Sequence, residues 1–234
     1  GITIYQEQVM QIAQVLAGFT LSQADTLRWA IGKRKRKLMN SLKNHFIEGC
    51  KKNNVKQYQA ETIFKQVETF AGYGFNKSHA VGYALIAYQT AYLKANFPSE
   101  YMAAVLSNNM NDIKQVTFFM EECRRMGVKV LGPDINESYY KFNVNDQKAI
   151  RFGMGAVKGV GRGAVQTIIE NRKDGEYKSI FDFAKRINLR LANKTTFENL
   201  ILAGSFDSFN LNRSQYFNID TDGYTFIEKA IKYG

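Results

Sequence analysis

The sequence is poor in residues that build covalent frameworks. Cys50 and Cys123 are its only cysteines, far apart and with no histidine cluster near either. That argues against a disulfide scaffold and a zinc site, and fits a reducing compartment. Only two prolines, Pro98 and Pro133, interrupt the chain, so long stretches are free to form helix. Acids are scarce, 21 against 32 Lys and Arg, which leaves a net charge of +11. The imbalance favours a polyanionic partner, nucleic acid ahead of an acidic membrane surface. No apolar run approaches the ~20 residues that span a bilayer. The sequence opens on Gly1 and continues as ordinary globular pattern, so the expectation is a piece of something larger, without a secretory leader. With 45% hydrophobic residues, the 234-residue chain can fill one large domain or two small ones.

Helical periodicity dominates the first half. Val9, Ile12, Ala13, Leu16 and Ala17 form a stripe ended by Gly18. A second helix is expected from a cap at Ser22 through Ile31, and a third from the run Lys33-Arg-Lys-Arg-Lys37 to about Lys52. Others are expected over Glu61–Phe70, Ser78–Asn96, Ser99–Leu106 and Asp112–Met126. After Gly127 the texture changes. Residues 128–131, 140–144 and 149–152 read as short strands with turns at Pro133-Asp134 and Asn145-Asp146. A second helical block follows, with helices over Ser179–Arg186 and Lys194–Ala203.

Two segments carry candidate chemistry. In the first, Phe70-Ala-Gly-Tyr-Gly-Phe-Asn leads into Lys77, Ser78 and His79 at the start of the longest expected helix. Helix N-termini present free N–H groups and a positive dipole end, so this is a candidate phosphate site, with Tyr83 one turn on. Val81, Leu85, Tyr88 and Tyr92 are expected on its apolar face. The bland alternative is a capped core helix with a solvated lysine. Between Arg28 and Lys56 stand ten Lys/Arg and one acid, Glu48. Arg28, Lys33 and Arg34 are triphosphate candidates from this run, although such a run usually marks a solvated face. His45 lies on the same helix and reads as structural or solvated.

The second segment is Gly159-Val-Gly161, flanked by Lys158, Arg162 and Gly163 and followed by Ala164, Val165, Ile168 and Ile169. This is a helix-hairpin-helix pattern. Its glycines let backbone approach a phosphate, N–H groups of the next helix bind it, and Val160 plugs the hairpin into the core. Such contact reads backbone and not base sequence. A dinucleotide fold is discounted, since no parallel strand and acid follow. The later helix pair suggests a degenerate second hairpin. Asp220-Thr-Asp222 reads as a turn and not a metal pair, and Gln115-Val-Thr-Phe-Phe119 as core packing and not a clamp-binding peptide. No nucleophile arrangement can be assembled.

These residues and others together resemble a known family. Ile4-Tyr-Gln-Glu-Gln-Val-Met10, Leu27-Arg-Trp-Ala-Ile-Gly-Lys33, Phe70-Ala-Gly-Tyr-Gly-Phe-Asn-Lys-Ser-His-Ala80, Tyr88-Gln-Thr-Ala-Tyr-Leu-Lys94, Glu121-Glu-Cys-Arg-Arg-Met-Gly127, Pro133-Asp-Ile-Asn-Glu-Ser138 and Ile150-Arg-Phe-Gly-Met-Gly-Ala-Val-Lys-Gly-Val-Gly161 are similar to segments of bacterial DNA polymerase III alpha subunits, the C-family replicative polymerases. The resemblance covers roughly residues 2–209. It implies fingers that help hold the incoming nucleotide and a hairpin that grips product duplex. It also implies templated nucleotidyl transfer with Mg²⁺ held by palm aspartates upstream of this sequence, so that the chain alone is inactive. Trp29 stands where the family usually has a second arginine.

The resulting expectation is a mainly α fold with a small β element. Fingers occupy 1–126, a β-containing linker 127–150, a helix-hairpin-helix domain 151–209, and a tail or truncated element 210–234. Nucleotide contacts fall to Arg28, Lys33, Arg34, Lys77, Ser78, His79 and Tyr83. Duplex contacts fall to Lys158, Gly159, Val160, Gly161, Arg162 and Gly163. Expected partners are primer–template DNA, dNTP, the remaining domains of the subunit and replisome proteins in the bacterial cytoplasm, with no membrane. The rival is a stand-alone helix-hairpin-helix DNA-binding or repair module, which gives the Lys77–His79 segment no role.

Overall fold

The computed structural model describes residues 2–33, 35–70 and 74–234. Among them are eleven α-helices and one small three-stranded sheet, a mainly α fold. The chain divides into two compact units, residues 1–90 and 91–234.

The first unit is built on α1 (Gln6–Ala17), α2 (Leu21–Gly32), α3 (Arg36–Lys52) and α4 (Gln57–Phe70). Their apolar stripes meet in one core containing Val9, Ala13, Leu27, Phe46, Phe64 and Val67. Gly18 ends α1, as its position suggested. The cap of α2 is Thr20 and not Ser22, because Thr20 and Gln23 close a reciprocal capping box. α1 and α3 approach so closely that a Cβ on Gly49 would lie 1.9 Å from the Ala17 carbonyl oxygen. His45 is solvent-exposed and sets its ring edge-on to Phe19.

α5 (Lys77–Asn96) corrects the expected apolar face. None of its 20 residues is buried. Val81, Leu85, Tyr88 and Tyr92 are more than half exposed, Tyr88 by 70%. Apolar side chains are spread around the helix, so no single stripe directs it onto a core.

In the second unit, α6 (Pro98–Asn108) and α7 (Ile113–Arg125) pack with β1 (Val130–Leu131), β2 (Asn143–Val144) and β3 (Ile150–Arg151). The strand order is β1-β3-β2, with β1 parallel and β2 antiparallel to β3. On α7, Phe119 is half-buried but Phe118 is 62% exposed, so only part of the Gln115–Phe119 run packs inward. α8 (Arg162–Asn171), α9 (Ile180–Arg186), α10 (Lys194–Ala203) and α11 (Phe226–Tyr233) enclose a core centred on Phe183, Phe197, Phe206 and Tyr216.

The segment 127–150 is integral to the second unit, since Ile135 is fully buried in the α8–α11 core and its N–H donates to the Ser205 carbonyl at 2.8 Å. Residues 210–234 are likewise no loose tail. Tyr216, Ile227 and Ala230 complete that core, and Thr225 and Glu228 form a capping box on α11.

Two predictions follow from this packing. Gly49→Ala should lose about 2–3 kcal/mol in denaturant unfolding, because the clash is with backbone, whereas Gly32→Ala, with open space around it, should change stability by less than about 1 kcal/mol. The Lys194 ammonium, 2.9 Å from Glu228, together with Thr225 holds the Glu228 carboxyl down at about 2. A depressed folded pKa stabilises above the unfolded value of about 4.3 and is lost as pH falls through the folded one. Acid unfolding of Glu228→Gln should therefore show a weaker pH dependence between about pH 4.3 and 2 than the parent chain.

Candidate nucleic-acid and nucleotide interfaces

The hairpin begins at a 3-10 turn, Met154–Ala156, and crosses 157–161 into α8. The first helix of this motif is thus a single turn. The Val160 N–H donates to the Val157 carbonyl at 3.1 Å and closes the loop. Val160 itself is buried beside Ala164, Val165 and Ile168, the expected plug. Lys158, Gly159, Gly161, Arg162 and Gly163 are all exposed on the other side.

The hairpin glycines have different jobs. Gly159 takes φ +79°, and a Cβ there would lie 2.4 Å from the Asn199 amide nitrogen, so its glycine serves the fold. Gly161 has an ordinary φ of −78° and nothing within 4 Å of a built Cβ. Nothing inside the chain requires glycine at that position. Gly161 is the N-cap of α8 and offers no capping side chain. Among the described residues, the exposed amides of Arg162 and Gly163 have no protein acceptor. An open, positively polarised helix end flanked by Lys158 and Arg162 is ready to donate hydrogen bonds to a phosphate oxygen. The Arg162 guanidinium lies 5.7 Å from the Tyr140 ring centre, a support that no spacing in the sequence announced.

The second hairpin exists too. α9 and α10 are joined through residues 187–193, and Asn193 caps α10 by accepting from the Thr196 N–H at 3.0 Å. A Cβ on Gly163 would rest 3.6 Å from Leu191, so the two hairpins sit side by side. The β segment braces them. Arg172, at the end of α8, donates to the Ser138 carbonyl at 2.6 Å and lies over Tyr139 at 4.7 Å. Asn136 exchanges two hydrogen bonds with the Tyr177 backbone, at 2.8 and 2.9 Å.

The helix end at Lys77 is arranged differently. Lys77, Ser78, His79 and Tyr83 are exposed, and the His79 and Tyr83 rings lie 4.5 Å apart. Two amides of the first turn are already engaged. The Lys77 N–H donates to the Glu7 carboxylate at 3.0 Å, and the His79 N–H to the Asn76 side chain at 2.9 Å. An anion here therefore meets the side chains of Lys77, Ser78 and His79 more than a bare helix end. Asn76, three residues before His79, had N-cap spacing and was the legible signal; Glu7, 70 residues from Lys77, had none. Of the basic-run candidates, Arg28 is paired with Asp25 at 2.8 Å and Lys33 is exposed at the end of α2. Neither is bonded to the Lys77 turn, and Arg34 lies outside the described residues, as do Ala71, Gly72 and Tyr73 of the glycine-rich approach.

Neither cysteine is poised for chemistry: burial pushes the Cys123 thiol up to about 11 and also raises Cys50. Among the described residues, no three His, Cys, Asp or Glu side chains cluster to hold a metal. Asp220 and Asp222 form a turn, with Asp220 accepting from the Asp222 and Tyr224 amides while Lys229 faces both carboxylates. That cation makes the pair a poor fit to the Mg²⁺ of nucleotidyl transfer. No described helix is long and apolar enough to cross a membrane.

Comparison with known proteins matches two parts of the chain. Residues 1–54 match the model of the bacterial DNA polymerase III alpha subunit finger domain, and residues 127–216 that of the helix-hairpin-helix motif. The second match takes in the β segment and part of the former tail, as the shared core requires. The chain therefore joins part of a polymerase finger domain to a helix-hairpin-helix unit. It is 51% identical to the DNA polymerase III subunit alpha of Vibrio cholerae over 92% of its own length and 19% of the relative's. Against the Escherichia coli subunit the identity is 48% over 93% of the chain and again 19% of the relative. The chain belongs to the bacterial DNA polymerase III alpha subunit family and spans about a fifth of the length of these relatives.

The two glycines give a test. Gly161→Ala should keep the unfolding midpoint nearly unchanged yet weaken duplex binding about tenfold and lower its salt dependence, if a phosphate approaches that backbone. Gly159→Ala should instead destabilise the second unit. Fluorescence anisotropy of a labelled duplex across a salt series, alongside thermal unfolding, separates the two effects.

Proposed function

We propose that the chain is the part of a replicative DNA-directed DNA polymerase that approaches the incoming dNTP through the Lys77 turn and holds primer–template duplex through the α8 hairpin. The observation that carries this reading is Gly161, a glycine without an internal reason at an uncapped helix end, in a chain about half identical to polymerase alpha subunits. The stand-alone repair module is less favoured, since the identity runs through the helices before the hairpin as well.

In this reading the chain's residues bind, orient and neutralise. Lys77 and His79, with Ser78, contact the triphosphate, and Tyr83 packs behind His79. Positioning and charge compensation are the main contributions that protein groups make to phosphoryl transfer. Mg²⁺ would supply the Lewis acidity for transfer to a primer 3′-hydroxyl, held by carboxylates in the longer protein, so the chain alone is inactive. The remaining domains of that protein are also the partners that would cover α5, since so many exposed apolar side chains on one helix call for burial. Replisome proteins and a bacterial cytoplasmic setting complete the expected surroundings.

The experiment is primer extension by the whole subunit. Lys77→Ala should raise KM for dNTP about tenfold while duplex affinity stays parental. An unchanged KM would remove the Lys77 turn from nucleotide binding.

A further inference from the structure

Resting on the nucleotide reading above, we propose that Glu7 is the positioning residue of the Lys77 turn. Its carboxylate reaches from the first turn of α1 to accept the Lys77 N–H at 3.0 Å, a cap supplied from 70 residues away.

The contact is one piece of a larger clasp. Tyr5 and Phe75 form a parallel bridge, with the Gln6 N–H donating to the Phe75 carbonyl at 2.9 Å and the Phe75 N–H to the Ile4 carbonyl at 3.2 Å. The Gln8 side chain holds that short strand straight, accepting from the Ile4 and Tyr5 amides at 2.7 and 2.8 Å. Gly74 tucks in behind, where a Cβ would meet Phe70 at 2.8 Å and Gln6 at 3.1 Å. The bridge thus fixes where the backbone enters α5, and Glu7 fixes the orientation of its first amide. Asn76 secures the third, the His79 N–H, at 2.9 Å. With the first and third amides tied, Lys77, Ser78 and His79 project into solvent from a turn whose backbone is set before any ligand arrives. α5 has no buried residue to orient its first turn, so at that end the anchoring comes from the clasp, while Lys94 near the other end pairs with Glu122 at 2.7 Å.

The positioning depends on reach and not on charge, which two conservative variants separate. Glu7→Asp keeps the charge and withdraws the carboxylate by one methylene. Glu7→Gln keeps the reach and an acceptor oxygen and removes the charge. In steady-state primer extension by the whole subunit, Glu7→Asp should raise KM for dNTP about tenfold with a smaller change in kcat, and Glu7→Gln should stay within about threefold of the parent. Amide exchange at Lys77 should quicken in Glu7→Asp while the α2–α4 amides keep parental rates. A parental KM for Glu7→Asp beside a raised KM for Lys77→Ala would overturn the role of Glu7 and leave the nucleotide site standing. A loss in Glu7→Gln equal to that in Glu7→Asp would also overturn it, since charge would then be the active property. A parental KM for Lys77→Ala would remove the nucleotide reading itself.

Discussion

The first-turn amides of a helix must find acceptors, and this chain meets that demand in two opposite ways. At α5 the acceptors are internal: Glu7 and Asn76 take the amides of Lys77 and His79. At α8 the cap is Gly161, which brings no acceptor and leaves the amides to an outside oxygen. The first arrangement makes a rigid platform for side chains. The second makes a backbone site that a phosphate can enter. Much of what the chain can do with a polyanion depends on which helix ends are closed and which are open.

An open helix end is useful only if the helix behind it does not move. α8 is held by a core that draws on widely separated sequence: Ile135 from between β1 and β2, Phe183 from α9, Phe206 from just after α10, and Tyr216 and Ile227 from the C-terminal residues. Arg172 and Asn136 lock the loop between β1 and β2 to the far end of α8 and the backbone beyond it. The β segment is therefore a brace, and the last residues close the core on the other side. The limits of the helix-hairpin-helix match, 127–216, follow this packing more closely than the limits of the motif.

α5 raises the opposite problem. Its periodicity is helical and its composition apolar, yet Leu85, Tyr88 and Tyr92 remain exposed. Apolar residues on all sides of a helix say that it wants burial without saying against what. The same ambiguity explains why one apolar face was expected: Val81, Leu85, Tyr88 and Tyr92 do share a side, but Tyr83, Ile86 and Leu93 lie on other sides and are exposed as well.

By itself the sequence determined the local elements. The helices other than α11, the three short strands, the glycine hairpin with its Val160 plug and the positive charge all follow from periodicity and composition, because these depend on neighbours within one or two turns. The family resemblance was legible for the same reason, in short contiguous segments such as Tyr5–Met10 and Phe152–Gly161. Tertiary structure alone decided which residues serve which end. It separated Gly159, required by its positive φ and Asn199, from Gly161, required by nothing inside the chain. It brought Glu7 to Lys77 across 70 residues, and Tyr216 and Ile227 into the core of α8. Those pairings have no local signature, since a hydrogen bond or contact between distant residues is set by how the helices pack and not by their spacing in the chain.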